Sequence, residues 1–338
     1  MANSGANSGP DIDYHWYRSS YTLLTVLLLP LSWFFHLIVN IRRALYCLGI
    51  KKTHHFPTPI IVVGNITVGG TGKTPFVIWL ASYLKKQGWR PGIVSRGVGG
   101  AEERLPRWVD ENADPRQVGD EAILLRRRTL CPVVIGVDRV AAVKALLEKS
   151  DCNIVISDDG LQHYRLGRDI EILIVDGARR FGNKNFLPAG PLRESISRLK
   201  QVDFVISQQQ AEAGEYLMLL QGNDLVSLKD ASQKKPLAHF KNTKVHGVAA
   251  IGNPKRFFSA LRAEEIDVVP HVFPDHYLYQ KNDIDFGDAL PVMMTEKDAV
   301  KCARFADKRH WYLPVDAKLD DAFEERLLKK LKMTTVDN

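Results

Sequence analysis

The stretch PIIVVGNITVGGTGKTP, residues 59–75, determines how the rest of this chain is interpreted. Its first eight residues form an apolar run, which is typical of a strand buried on both faces of a parallel sheet. The glycine-rich segment TVGGTGKT, residues 67–74, follows, and residues 75–87 then show helical spacing up to Gly88. A glycine-rich turn between a buried strand and a helix is a typical phosphate-binding loop, because backbone N–H groups and the helix N-terminus point at one anion.

This loop supplies the first candidate site residues. We expect the Lys73 ammonium to reach the β- and γ-phosphates of a nucleotide, and the Thr74 hydroxyl to bind Mg²⁺. The strict pattern G-x-x-x-x-G-K-[ST] is not met, because Thr67 stands where the first glycine should be. A glycine-rich turn without a ligand is the alternative. The nucleotide-binding prediction covers Thr67, Val68, Gly69, Gly70, Thr71, Gly72, Lys73 and Thr74.

Apolar runs of strand length alternate with helical segments along the next part of the chain. They predict further buried strands at residues 91–95, 132–137, 153–157, 171–175 and 203–207. The alternation indicates a doubly wound α/β/α core of the P-loop NTPase type over residues 51–207.

A second, smaller α/β/α lobe is predicted over residues 244–338. Its strands are expected at residues 245–251, 268–273, 291–294 and 311–314, and its last helix near residues 320–332. Residues 208–243 interrupt the alternation of strands and helices. They contain two short apolar stretches on either side of the turn sequence Gly222-Asn223-Asp224. We therefore expect a β-hairpin there, acting as a two-stranded linker between the lobes.

Carboxylates follow two of the predicted strands. IVISDDG places Asp158 and Asp159 at the carboxyl end of a strand, where ligands bind in open α/β sheets. Asp176 of ILIVDG is a rival position for a magnesium carboxylate. Adjacent acidic residues can also form a solvated turn, but a doubled carboxylate behind an apolar strand favours the metal site.

The N-terminal segment has a different character. Residues 21–41 contain no Asp, Glu, Lys or Arg, and their length suits a bilayer core. A cleaved signal peptide and a buried core helix are the alternatives to a membrane anchor over residues 1–50. We favour the anchor, because aromatic residues lie near its ends: Trp16, Tyr17, Tyr21, Trp33 and Tyr46. The basic flank predicts a cytoplasmic domain after the anchor: Arg42, Arg43, Lys51 and Lys52.

Composition sets outer limits on the class of protein. With 338 residues, 45% hydrophobic and 25% charged, the chain is neither disordered, collagen-like nor a polytopic membrane protein. A net charge of +7 over this length is weak evidence for nucleic acid and suits an anionic substrate or membrane surface equally well. The 4 cysteines are far apart in sequence, which excludes a CxxC site and favours a reducing compartment.

Several motifs in one order resemble the tetraacyldisaccharide 4′-kinase family of Gram-negative bacteria. They run from about Gly64 to Lys301: VGNITVGGTGKTP, VSRG, VGDE, SDDGLQHYRLGRD, LPAGPLRES, IGNPKRF, FPDHY and MTEKDAVK. The resemblance implies ATP-dependent phosphorylation of the 4′-hydroxyl of an acylated glucosamine disaccharide 1-phosphate. It also implies two α/β/α lobes joined by a two-stranded link. The family usually has Tyr after SRG, and Val98 stands there in this chain.

The resemblance also implies roles for individual residues. Asp120 of VGDE looks like the catalytic aspartate and His276 of FPDHY like its partner, although Asp120 could be only a helix N-cap. The Mg²⁺ and catalytic-centre acids are implied to be Asp158, Asp159 and Glu194, the last being equally suited to a salt bridge. Substrate contacts are expected from Arg96, Gln162 and His163, of which His163 could instead be structural.

The expected setting follows from the same resemblance. ATP and Mg²⁺ are the expected cofactors, and the cytoplasmic face of the inner membrane is the expected location. The expected partners are the lipid substrate and the membrane surface, with no nucleic acid and no obligatory protein partner. A membrane-associated P-loop ATPase or GTPase switch is the alternative function. Lys297 of TEKD lies one place too late for the guanine-reading pattern, so no guanine specificity is predicted.

Overall fold

The computed structural model describes residues 12–18, 20–97 and 106–336, so Val98 lies outside the described residues. Within them two sheets form. The strands are β1 (Ile60–Gly64), β2 (Pro91–Ser95), β3 (Arg107–Trp108), β4 (Val133–Ile135), β5 (Ile154–Asp158), β6 (Ile170–Asp176), β7 (Phe204–Gln208), β8 (Tyr216–Gln221), β9 (Asp224–Ser227), β10 (Lys234–Pro236), β11 (Lys244–Ala249), β12 (Asp267–Val272), β13 (Val292–Thr295), β14 (His310–Leu313) and β15 (Asp316–Leu319). The α-helices are α1 (Ile12–Trp16), α2 (Leu23–Cys47), α3 (Lys73–Lys86), α4 (Pro115–Val118), α5 (Asp120–Thr129), α6 (Arg139–Lys149), α7 (Pro254–Ala263), α8 (Glu296–Cys302) and α9 (Asp321–Val336).

The larger sheet has the strand order β15-β8-β7-β6-β1-β5-β2-β4-β3. Its centre is parallel, with β1 between β5 and β6. Every residue of β1 is buried, which explains why its sequence is apolar throughout rather than alternating. Helix α3 packs on one face through Phe76 and Leu80, and α6 packs on the other through Val143 and Leu146. The doubly wound core and its predicted strands are confirmed.

The smaller sheet has the order β10-β9-β14-β13-β11-β12. Strands β12, β11, β13 and β14 run parallel to one another. Helix α7 covers one face with Phe257, Phe258 and Leu261, and α8 covers the other with Ala299 and Cys302. The structure therefore contains the predicted second α/β/α lobe.

The predicted β-hairpin around Gly222 is wrong. Strand β8 pairs with β7 and β15 in the larger sheet, whereas β9 pairs with β10 and β14 in the smaller one. The chain crosses between sheets at Gly222 and returns after β14, so β8–β9 and β14–β15 form the two-stranded link between lobes. A Cβ at Gly222 would approach the Pro314 carbonyl oxygen to 2.7 Å, which shows how closely the two crossings pass. Two apolar stretches around a turn sequence look alike in a hairpin and in such a crossing.

The C-terminal segment also differs from the predicted lobe boundary of 244–338. Strand β15 and helix α9 return to the larger sheet instead of completing the smaller one. Phe323 of α9 is fully buried, with its ring 6.0 Å from Phe76 and 5.3 Å from Phe204 between centroids. Periodicity predicted the helix correctly, but it carries no information about which sheet the apolar face covers.

Helix α2 is long and apolar enough to cross a membrane, and little of its surface is covered by protein. Leu27, Leu31 and Phe34 are each more than half exposed, so the buried-core-helix alternative is wrong. A narrow side of the helix does dock: the Ser32 hydroxyl donates to the Phe186 carbonyl at 2.7 Å, and the His36 ring stacks on Phe186. The helix is therefore fixed to the larger lobe while its apolar side stays uncovered.

The packing of α9 gives a stability prediction. Phe323→Ala should lower the free energy of unfolding by about 3–5 kcal/mol, because a large cavity would open among the aromatic rings against the larger sheet. Urea unfolding measures this change. Met333→Ala on the same helix is the matched control, since Met333 is 58% exposed and its loss should cost under about 0.5 kcal/mol. A loss below about 1 kcal/mol for Phe323→Ala would contradict this packing.

Candidate functional site

A cleft of about 840 Å³ lies between the two lobes. The larger lobe contributes the loop between β1 and α3 and the carboxyl ends of β2 and β5. The smaller lobe contributes residues from the start of α7, the loop after β12 and the start of α8. The cleft is thus at the carboxyl edge of the parallel strands, where ligands of doubly wound proteins bind.

The glycine-rich loop enters the cleft as predicted. Gly69 and Gly72 have φ values of +100° and +90°, a conformation that strains other residue types, and Gly72 is the N-cap of α3. These turns direct the positive end of the α3 dipole into the cleft. Seven of the predicted loop residues line it: Val68, Gly69, Gly70, Thr71, Gly72, Lys73 and Thr74. Thr67 differs, because it is buried and pairs with Leu192 in an isolated bridge.

Lys73 is held at the cleft by two oxygen atoms. Its ammonium donates to Asn65 Oδ1 at 3.1 Å and lies 3.5 Å from Asp159 Oδ1. The Arg193 guanidinium lies 3.3 Å from the other Asp159 oxygen. Burial favours the neutral acid, but the two cations outweigh it and lower the pKa of Asp159 to about 2. Asp159 is therefore ionised and keeps two cations in place for an anionic ligand.

Asp158 has a different environment from its neighbour. Its Oδ2 accepts a hydrogen bond from the Ser95 hydroxyl at 3.2 Å, whereas no donor among the described residues reaches the buried Oδ1. Burial and the nearby charges of Glu121 and Asp159 raise the pKa of Asp158 to about 7. A buried carboxylate with an unpaired oxygen at a phosphate loop fits a divalent cation, which prefers oxygen ligands and would compensate the charge.

The structure brings Glu194 and Gln162 together, and neither is among the described residues that line the cleft. Glu194 is buried and accepts hydrogen bonds from Gln162 Nε2 at 2.6 Å, Tyr164 OH at 2.7 Å and Arg198 Nε at 3.1 Å. Gln162 Nε2 also donates to the Asn65 backbone oxygen at 3.1 Å. Both residues therefore support Asn65 and, through it, Lys73.

Two further predicted contact residues occupy distinct positions. Arg96 follows β2, is exposed and lines the cleft. His163 is partly buried, and desolvation together with the Arg139 charge lowers its pKa to about 4. His163 is thus neutral at neutral pH. The alternative that its role is structural stays open.

Asp120 and His276 come from different lobes and meet. Asp120 is the first residue of α5, after the N-cap Gly119, so the N-cap alternative for Asp120 is wrong. Its Oδ1 accepts a hydrogen bond from the Glu121 N–H at 2.9 Å and lies 3.1 Å from His276 Nδ1. The Asp120 side chain is 3% exposed and that of His276 25%, and it is His276 that lines the cleft.

The two groups change each other's protonation. Burial favours neutral Asp120, but the hydrogen bond from His276 and the charge of Lys297 outweigh it, so the pKa of Asp120 is lowered. The same hydrogen bond raises the pKa of His276 above its usual range. The pair therefore titrates as a unit whose proton is carried mainly by the imidazole.

Sequence reasoning missed several residues of the site. Lys297 donates from α8 to Glu121 Oε1 at 3.0 Å and to Asp275 Oδ1 at 3.1 Å, and so bridges the lobes at the cleft. Arg193 was part of a quoted motif, but only its ion pair with Asp159 reveals its position. Gly252 lies so close to the phosphate loop that a Cβ there would be 2.8 Å from the Gly70 nitrogen. No local pattern marks contacts that form only when two lobes meet.

The chain is similar to known proteins over most of its length. The family model described as tetraacyldisaccharide-1-P 4′-kinase matches residues 24–332. The tetraacyldisaccharide 4′-kinase of Nitrosococcus oceani is 56% identical over 306 residues, covering 90% of each chain. That of Coxiella burnetii is 50% identical over 309 residues, covering 91% of each chain. The crystal structure of LpxK from Aquifex aeolicus in complex with ATP superposes with a TM-score of 0.77 at 29% identity, covering 93% of this chain and 100% of that one.

Proposed function

The chain belongs to the tetraacyldisaccharide-1-P 4′-kinase family, and on that premise we propose that it transfers the γ-phosphate of ATP to the 4′-hydroxyl of a tetraacyldisaccharide 1-phosphate. The product is lipid IVA, an intermediate of lipid A biosynthesis. The observation that carries the proposal is one cleft lined by both a phosphate loop and the histidine of an interlobe Asp–His pair. Phosphoryl transfer needs mainly positioning, charge stabilisation and a group that takes the hydroxyl proton, and this cleft offers all three.

ATP would lie with its phosphates on the loop before α3. Backbone N–H groups and the α3 dipole stabilise the phosphate oxygens, and Lys73 places its ammonium next to the transferred group. The relative from Aquifex aeolicus that was solved in complex with ATP supports ATP as the nucleotide. Asn65 and Asp159 hold the Lys73 ammonium before the nucleotide arrives, so little reorganisation is needed.

Magnesium would be held by Asp158, Asp159 and the hydroxyl of Thr74. The unpaired buried Oδ1 of Asp158 is the feature that supports this set. When bound, Mg²⁺ neutralises charge on the nucleotide phosphates. Glu194 was predicted as a further ligand, but its oxygens already accept hydrogen bonds from three side chains. We propose that Glu194 instead holds Gln162 and so supports the phosphate loop.

The proton of the sugar hydroxyl would be taken by the Asp120–His276 pair. His276 faces the cleft, and the buried Asp120 carboxylate orients its ring through Nδ1 and stabilises the imidazolium that forms. The pair accepts a proton only while His276 is neutral. Arg96 would contact a phosphate of the substrate from the cleft wall, while Gln162 supports the phosphate loop through the Asn65 backbone.

The protein would work at the cytoplasmic face of the inner membrane. A substrate with four acyl chains keeps them in the bilayer while its sugar lies at the surface, on the side where ATP is available. The uncovered apolar side of α2 suits that position, since its docked side is fixed to the lobe that carries the phosphate loop.

Label transfer tests the proposed reaction. With γ-labelled ATP and a defined acylated disaccharide phosphate, we expect label in the lipid. Lys73→Ala should lower the rate by about 10²–10³-fold or more, because the cation beside the transferred phosphoryl group is lost. Lys86→Ala, an exposed position at the other end of α3, is the matched control and should keep the wild-type rate.

Two results would contradict the kinase proposal. Label only in free phosphate, stimulated by a protein partner, would indicate the ATPase or GTPase switch instead. Near-normal transfer by Lys73→Ala would remove the nucleotide role of the loop.

The anchor can be tested without deleting it. Changing Leu27, Leu31 and Phe34 together to Gln should lower partition into anionic lipid vesicles about 10³-fold or more, because each side chain loses roughly 1.5–3 kcal/mol of burial in lipid. ATP affinity should not change, since these side chains are exposed. Ser32→Ala on the docked side is the control and should keep the partition. Unchanged vesicle binding by the triple variant would show that α2 is not the anchor.

A further inference from the structure

Lys301 is a buried cation that the proposed reaction does not yet use. It lies on α8 in the smaller lobe with its side chain 3% exposed. Its ammonium is 3.0 Å from Asp298 Oδ1 in its own lobe and 3.6 Å from Asp120 Oδ2 in the other. Because an isolated buried ammonium is very unfavourable, its position depends on these two carboxylates.

Asp298 fixes the ammonium from within the smaller lobe. Its Oδ2 accepts hydrogen bonds from the Ala250 N–H at 3.1 Å and the Thr295 hydroxyl at 2.6 Å, and it is fully buried. The Tyr279 ring lies 5.2 Å from the Lys301 ammonium and covers it. Lys301 therefore has a defined position before the lobes meet at Asp120.

The two oxygens of Asp120 have complementary surroundings. Oδ1 is occupied by the Glu121 N–H and by His276. No hydrogen-bond donor in the described part of the chain reaches Oδ2, which is buried and faces the Lys301 ammonium. The ammonium thus attracts Oδ2 inward and leaves Oδ1 for the imidazole.

The charges in this cluster also indicate that Lys301 controls the proton on His276. Asp120, Asp298 and Lys301 together carry one net negative charge, so the buried group becomes neutral when His276 takes up a proton. A second charged group lies beside this cluster. In it, Lys297 binds the carboxylates of both Glu121 and Asp275. Without Lys301 the first group would hold two uncompensated carboxylates, and His276 would keep its proton too tightly to accept another.

We propose that Lys301 is a positioning residue of the kinase reaction, which fixes Asp120 from the smaller lobe and keeps the Asp120–His276 pair able to accept the hydroxyl proton. This inference rests on the proposed function. The proton moves from the sugar hydroxyl to the pair as the new P–O bond forms and the bond between the γ-phosphorus and ADP breaks.

Lys301→Met tests the role at two levels. The pKa of His276 should rise by about half a unit or more when the cation is lost. NMR of the His276 ring measures this pKa, and the His276→Gln variant assigns the signal. The acid limb of kcat should move to higher pH by a similar amount, since the pair is competent only above that pKa. At neutral pH kcat should fall about tenfold or more, with KM for ATP little changed, because the pair is also less well oriented.

A second variant separates this role from simple stability. Lys301→Met leaves Asp298 buried without a counter-ion, so the double variant Lys301→Met with Asp298→Asn should recover much of the lost thermal stability. Its kcat should stay well below the wild-type value, because Asp120 still lacks the ammonium that holds Oδ2. Its His276 pKa should return toward that of the wild type, since loss of the second carboxylate restores the net charge of the group. Arg128→Met is the matched control: it breaks the 2.5 Å ion pair to Glu296 between the same two helices, and should leave the His276 pKa unchanged.

The outcomes separate the inference from the proposed function. An unchanged His276 pKa and kcat in Lys301→Met, with lipid labelling intact in the wild type, would overturn the role of Lys301 alone. Recovery of kcat together with stability in the double variant would also overturn it, by showing a structural role. Absence of lipid labelling in the wild type would instead refute the kinase proposal.

Discussion

The contact between Asp120 and His276, 3.1 Å from Oδ1 to Nδ1, joins two lobes at the cleft. Each lobe has its own sheet and its own apolar cores on both faces. The contact forms only when the loop after β12 reaches the start of α5. Neither lobe alone contains a phosphate loop together with a cleft-facing histidine, so the chemistry depends on their apposition.

Much of the larger lobe serves to hold the phosphate loop in position. Asn65 orients Lys73, Gln162 binds the Asn65 backbone, and Glu194 binds Gln162. The loop after β6 extends this support, since Arg179 donates to the Gly70 carbonyl at 3.1 Å and the Phe186 carbonyl accepts a hydrogen bond from Ser32 of α2. One set of contacts therefore runs from the uncovered helix to the nucleotide site, which suits the proposed reaction between a substrate in solution and a substrate held in a membrane.

The sequence predicted the features that depend on neighbouring residues, namely the buried strands and the glycine-rich turn. Strand β1 is buried on both faces, so it appears as an unbroken apolar run, and the glycines of the phosphate loop mark its turn. The hairpin at Gly222 and the lobe assignment of α9 failed because the same pattern suits either sheet. The resemblance suggested Asp120 and His276. Lys301 ends the quoted motif MTEKDAVK, but nothing in the sequence indicated its role, since its partner lies 181 residues away, from 301 to 120.

Whether Asp120 and His276 act as one unit can be measured by a double-mutant cycle on kcat for lipid phosphorylation. Asp120→Ala and His276→Ala should each lower kcat by about 10²–10⁴-fold with little change in ATP affinity. The double variant should be hardly slower than the more impaired single variant, because residues that act together give non-additive losses. Losses that multiply in the double variant would show instead that the two residues act independently and do not form a catalytic pair.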